Sequence, residues 1–226
     1  MIRRPPRSTR KESSAASDVY KRQMSVSSIC NKVFKTAIDD YHISNSVNEK
    51  NNNPFKDSSS LEKIIYNKCW IDTVQWHLED IIRKPNIEPS EALKIKRRID
   101  SSNQDRTDMV EELDEYFFKK YSSENPNQDA ILNTETPAWA VDRLSILSLK
   151  IYHMKEEAER DSASEDHRKK CSLKLSVLMD QKSNLSTAID QLFENISNGK
   201  VRIATYKQMK MYNDESLNPE LYSQND

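Results

Sequence analysis

The chain has 226 residues, enough for one ordinary domain with a sizeable core, and 31% of them are charged, giving a low mean hydropathy of -0.88. It holds a single glycine, Gly199, which excludes phosphate-binding loops, dinucleotide-binding turns and nucleophile elbows, since each needs backbone that glycine alone allows. Three cysteines (Cys30, Cys69 and Cys171) form no Cys-x-x-Cys pair, so they read as reduced core thiols and not as a disulfide framework or zinc knuckle.

Residues 1–23, "MIRRPPRSTRKESSAASDVYKRQ", carry no apolar periodicity and precede Met24. They resemble translated sequencing-adapter DNA fused to a reading frame and are expected to form an extension outside the fold. A basic nucleic-acid-binding arm is the alternative. The stretch has seven Lys/Arg against two Asp/Glu, so removing its +5 from the total of -1 leaves -6 for the remainder. That acidity counts against general nucleic-acid binding.

Five helices follow in chain order. The first spans about Val26 to Ile43, with Ile29, Val33, Phe34, Ala37, Ile38 and Tyr41 at helical spacing. A polar stretch, residues 44–60, is expected to be a flexible linker. The second helix runs from about Leu61 to Arg83, and the third from near Ser90 to Tyr121, helped by Pro89. The fourth opens with Thr136 as N-cap and Pro137 at the first helical position, and runs to about Arg160. The fifth, about Asp166 to Ser197, carries Leu175, Leu178, Leu185, Ile189, Leu192 and Ile196 on one stripe, and Gly199 stops it. Residues 200–226 form a tail. Pro54, Pro85, Pro89, Pro126, Pro137 and Pro219 all fall between periodic segments. No segment alternates with period two, so residues 24–226 are expected to be one all-α helical bundle of about five helices. No apolar run approaches the roughly 18 residues of a membrane span, and no signal peptide is apparent, so a cytoplasmic location is expected.

Polar groups flank the apolar stripes. On the second helix Ile71, Val74, Leu78, Ile81 and Ile82 share an arc, with Asp72, Gln75, Glu79 and Arg83 beside it and Ile65 and Trp76 beyond. His77, Asp80 and Lys84 fall on the remaining, wet face. On the third, Ala92, Ile99, Val110, Leu113 and Phe117 share an arc bordered by Asp100, Asn103, Thr107 and Glu111. Arg106 projects from the middle of that arc and should meet a carboxylate from another helix, Asp72, Glu79 or Asp142. The fourth helix is apolar almost all round, the mark of a central element, yet it embeds Asp142, Arg143 and His153. The ligand-binding candidates are therefore Asp72, Gln75, Glu79, Arg83, Asp100, Asn103, Arg106, Glu111, Asp142 and Arg143. Such a network either serves a site or only fixes helix register.

No metal or cofactor is expected. A ferritin-like centre needs Glu-x-x-His on two helices, and the chain has neither that motif nor His-Glu-x-x-His. Its four histidines lie on different segments, and Asp39-x-x-His42 is a lone pair. No serine is marked as a nucleophile.

The stretches "WIDTVQWHLEDIIR", "KRRIDSSNQDRTDMVEELD", "LNTETPAWAVDRLSILSLKIYHM" and "YKQMKMYNDESLNPELY" resemble the domain-of-unknown-function family numbered 4254, over about Leu61 to Tyr222. That family usually reads N-Q-x-R-N-D around Asn103 and Arg106, whereas Thr107 replaces the second asparagine here. The resemblance implies a bacterial, helical cytosolic protein associated by gene neighbourhood with glycosyltransferases of cell-surface polysaccharide.

Three functions compete. The first is an interhelical pocket that binds or transforms a small hydrophilic or anionic ligand, with arginines clamping the anion and carboxylates taking hydroxyls. The second is a non-catalytic adaptor or structural protein that holds a glycosyltransferase. The third is RNA binding by the tail "KVRIATYKQMKMY", through Lys200, Arg202, Lys207, Lys210 and two tyrosines; the net acidity weighs against it.

Overall fold

Hydroxyl-capped helix starts set the frame of the computed structural model, which describes residues 25–57, 60–122, 126–211 and 214–223. Helix α1 (Val26–Ser44) begins where Ser25 accepts from the Ser28 amide, and ends at Asn45, whose left-handed backbone (φ 48) brings its N–H to the Tyr41 carbonyl. Ser60 caps α2 (Leu61–Ile82) by accepting from the Lys63 amide. Pro89 opens α3 (Pro89–Tyr121). Thr136 accepts from the Trp139 amide ahead of α4 (Pro137–Glu159), with Pro137 in the first turn as expected. Ser164 caps α5 (Glu165–Ser197), whose first turn adds Glu165 and Asp166 at the positive end of the helix dipole. A single turn, α6 (Pro219–Tyr222), closes the described chain.

The all-α expectation holds, with one addition. Ile131–Leu132 (β1) and Val201–Arg202 (β2) form a short parallel pair, Ile131 opposite Val201. Two residues are too few for alternation to show. Gly199 precedes β2 with φ 69, a conformation that suits glycine, and its amide bonds the Ile196 carbonyl. Beyond β2 the tail lies along α3. The residues 44–60 segment is tied to α2, because the Asn53 amide donates to the Lys63 carbonyl (3.0 Å) and Asn67 (2.7 Å). The expected 1–23 extension lies outside the described residues.

The core joins Phe34 and Tyr41 of α1, Ile65 and Tyr66 of α2, Leu113 and Phe117 of α3, Leu144 and Leu149 of α4, and Ile189 and Phe193 of α5. Each such side chain contributes about 1.5–3 kcal/mol through removal from water. Helix α2 packs on α1, α3 and α4 together. Its first half is therefore buried nearly all round, including Lys68, Asp72 and Thr73. Of the arc expected to face the core, only Leu78 is fully buried; Ile71, Val74, Ile81 and Ile82 are partly covered. Cys30, Cys69 and Cys171 are free and buried, and burial pushes the Cys30 and Cys69 thiols up to about 12, which keeps them protonated. Among the described residues no helix is long and apolar enough to cross a membrane.

Asp114 of α3 is buried at the start of α4. Burial pushes its carboxyl up to about 6, although hydrogen bonds from Thr136 and the Ala138 amide favour the charged form. The folded chain thus holds this proton more tightly than the unfolded chain does. The stability it brings is complete below the ordinary carboxylate range and is lost as pH rises through about 6. Relative to the native chain, Asp114→Asn should gain on the order of 2–3 kcal/mol between about pH 4 and pH 7, read from urea midpoints at each pH.

Candidate functional site

Four charged side chains from three helices meet beneath a cleft. Lys68 and Asp72 lie one turn apart on the buried side of α2, so their side chains meet. Asp142 of α4 accepts from Lys68 Nζ at 2.7 Å and from Arg106 of α3 through both oxygens, at 2.8 and 2.6 Å. The fourth side of the quartet is Arg106 Nε beside Asp72 Oδ1, at 3.2 Å. Ser145, on the same face of α4 as Asp142, donates to Asp72 Oδ2 at 2.6 Å. Lys68 and Asp72 are fully enclosed, and Arg106 retains 27% side-chain exposure.

Two cations and two carboxylates balance the charge, which is the condition for keeping ions out of water without a large penalty. Burial raises the Asp72 carboxyl against the pull of Lys68, and neighbouring Asp142 adds to the rise. Burial also opposes ionisation of Asp142, but Lys68 and then Arg106 outweigh it and hold that carboxyl low. Arg106 contributes to the difference: its Nη2 donates to both oxygens of Asp142, whereas only Nε lies beside Asp72.

Asp72 and Arg106 of the quartet floor a pocket of about 280 Å³, close to the lower end of the range for small-ligand sites. Gln75, Glu79 and Arg83 of α2 line it with Asp72 and Arg106, while Trp76 and Ile146 supply apolar walls. Gln75 is held in place, donating to Asn103 (2.8 Å) and accepting from Ser102 (3.2 Å). Glu79 and Arg83 pair at 2.5 Å in a more exposed position.

The arrangement gathers Asp72, Gln75, Glu79, Arg83 and Arg106 at one pocket, with Asn103 and Asp142 directly behind it. Three expected members are elsewhere. Asp100 pairs with Lys96 on its own helix. Arg143 pairs with Glu135 at 2.5 Å in an exposed position, because it points away from Asp142 on α4. Glu111 receives Lys207 (3.0 Å) and the Gln208 amide (3.0 Å) from the tail. Lys207 also reaches Glu115 (3.3 Å), and Lys210 donates to the Asn103 carbonyl (2.7 Å), so these tail cations are engaged on α3. Thr107, standing where the family pattern has asparagine, turns its hydroxyl to the Asn103 carbonyl (2.9 Å).

Lys68 and Ser145 had no place in the sequence reading. Lys68 was detectable, as a cation one turn before Asp72 inside the apolar run "IIYNKCWI". Ser145 carries no such mark.

The histidines correct one expectation, which places His77 on the wet face. Instead His77 stacks on Tyr41 (5.0 Å between ring centroids) and meets His42 of α1 and His153 of α4. A ligand atom from each of the three lies within 4.8 Å of the others, so they could hold an ion. Burial, and then mutual repulsion with His153, lowers the proton affinity of His77. Burial likewise lowers that of His42, against its bond to the Ile38 carbonyl. Both favour the neutral, ligating form. His77 does lie outside the pocket lining, as expected.

An all-α bundle with a charge-balanced quartet under a polar cleft is the class that this architecture defines. The family described as "Protein of unknown function (DUF4254)" matches residues 62–205, and the chain belongs to that family. No curated protein and no solved structure matches it. The matched stretch includes the whole quartet, Ser145 and the pocket lining; His42 precedes it.

Arg106→Ala should cost on the order of 3–5 kcal/mol, because it strands Asp72 and Asp142 together. Lys68→Met should cost a similar amount, and adding Asp72→Asn to it should recover about half or more by removing the stranded charge. Urea denaturation of the two single variants and the double variant checks both statements.

Proposed function

We propose that the pocket over the quartet binds a small, hydroxylated anion, with Arg106 and Arg83 meeting the anionic group, Gln75 and Glu79 taking hydroxyls, and Asp72 holding Arg106 in place from beneath. The observation that carries this reading is the set of charged and amide groups that opens on one cleft: Arg106 keeps 27% side-chain exposure, beside Gln75 and the more exposed Glu79 and Arg83. Arg106 Nε meets the enclosed Asp72 Oδ1 at 3.2 Å, so the quartet holds the guanidinium in place at the cleft floor. A small-ligand site sets a few placed polar groups in a concave surface of this kind. Guanidinium groups match carboxylate and phosphate oxygens in a planar, bidentate manner. Trp76 offers a flat apolar wall of the kind a sugar ring packs against. A sugar acid or sugar phosphate fits this set, in keeping with the link to cell-surface polysaccharide that the family resemblance implies.

An adaptor role has one observation in its favour. Leu173 and Val177, one turn apart on α5, are 66% and 55% exposed. The two readings separate by experiment. Mass spectrometry of small molecules released from the protein purified from residue 24 onward should find an anionic polyol. Glu79→Gln and Arg83→Gln should abolish its retention while changing stability by no more than about 0.5–1 kcal/mol, since that pair is partly exposed. Asp100→Asn should retain the ligand. Retention unaffected by the Glu79 and Arg83 substitutions would leave the adaptor reading in its place.

A further inference from the structure

We propose that His42, His77 and His153 form a binding site for a divalent transition-metal ion of the zinc class, with a fourth coordination position open to water. The three ring centroids form a nearly equilateral triangle, with sides of 5.3, 5.3 and 5.2 Å. Imidazoles that bind one tetrahedral ion at about 2.0–2.1 Å place their centroids about 5.2 Å apart, and their ligating nitrogens about 3.3 Å apart. His42 Nε2 and His77 Nε2 are 3.3 Å apart. Side chains from α1, α2 and α4 thus occupy the positions that an ion would impose.

Two of the opposite ring nitrogens are already engaged. His42 Nδ1 bonds the Ile38 carbonyl at 2.7 Å, which fixes Nδ1 as the donor and leaves a lone pair on Nε2. His153 Nδ1 faces Glu156 Oε2 at 2.8 Å. Carbonyl and carboxylate partners of this kind orient metal-ligating histidines and raise their basicity. His77 Nδ1 has Asp80 Oδ2 nearby at 3.8 Å, beyond hydrogen-bond distance. His153 Nε2 is buried with no hydrogen-bond partner. A buried polar atom without a partner is destabilising unless something completes it.

Aromatic packing explains only the outer ring faces. Tyr41 stacks on His77, Trp76 stacks on His153 (5.0 Å, 12°), and Tyr152 lies 4.2 Å from His42. Phenylalanines would pack as well without burying an unpaired nitrogen. Three imidazoles suit Zn²⁺, Cu²⁺, Ni²⁺ or Fe²⁺, not the oxygen-seeking Ca²⁺ or Mg²⁺. Three protein ligands with one open position is the pattern of catalytic and not of structural zinc. The site adjoins the anion pocket, because Trp76 and Asp80 line that pocket while touching His153 and His77. It does not depend on the pocket being used.

The test is titration of the chelator-treated chain with Zn²⁺ by calorimetry and with Co²⁺ by visible absorption. One ion per chain should bind, and Co²⁺ should show the intense d–d bands of low-coordinate cobalt. His77→Ala and His153→Ala should weaken Zn²⁺ by at least the roughly 10–100-fold that even an outer partner's loss costs, and Glu156→Gln should fall within that range. His167→Ala should bind as the native chain does, since His167 lies apart with Glu157. Failure of the native chain to bind either ion at one equivalent overturns the proposal. So does unchanged affinity in His153→Ala, or loss of affinity in His167→Ala. Circular dichroism checks the folding of each variant. Should an alanine variant unfold, the native titration and Glu156→Gln, which alters a half-exposed side chain, still decide the matter.

Discussion

The pairing of Lys68, Asp72, Arg106 and Asp142 is the constraint on which the arrangement of the bundle depends. Lys68, Asp72 and Asp142 have left bulk water at a cost of several kcal/mol each, and the quartet, with the Ser145 hydroxyl, offsets it. Helices α2, α3 and α4 must therefore sit in one register, since a shift of a single residue would turn a charge into the apolar core. The apolar contacts of Ile65, Leu113 and Leu144 are non-directional and would tolerate neighbouring registers. The charge-assisted bonds from Arg106 Nη2 to both oxygens of Asp142 would not.

The same quartet shapes the chemistry above it. Asp142 is satisfied from both sides and serves as an anchor. Asp72, deeper and less well aligned with Arg106, meets its Nε at 3.2 Å where α2 borders the cleft. Gln75, a turn further along α2, is braced by Ser102 and Asn103. These bonds give the cleft a rigid floor between the apolar walls of Trp76 and Ile146.

Trp76 and His77 divide the second half of α2 between two neighbourhoods. Trp76 lines the cleft on one side and stacks on His153 on the other, while His77 reaches Tyr41 and His42. Adjacent residues on a helix diverge by about 100°, which allows one segment to serve both. Trp76 thus forms a wall common to the cleft and the histidine cluster.

Much of the architecture was legible beforehand because it is written in local signals. Thr136–Pro137, Pro89 and Gly199 mark helix ends through backbone chemistry that acts within a few residues. The five helices, the reduced cysteines and the meeting of Arg106 with a carboxylate all followed from period and composition. Tertiary structure alone decided which polar residues share a site. The helical wheel assigns a direction but not a neighbour, so Asp100 and Arg143 qualified as readily as Asp72 and Gln75, then turned to Lys96 and Glu135. Lys68 entered the quartet, and Ser145 of α4 came to bond Asp72, because α2 is enclosed on several sides, a property of its packing on α1, α3 and α4 that one helix's pattern cannot express. His42, His77 and His153 are separated by 35 and 76 residues, and no spacing rule links them; only the crossing of α1, α2 and α4 brings their rings together.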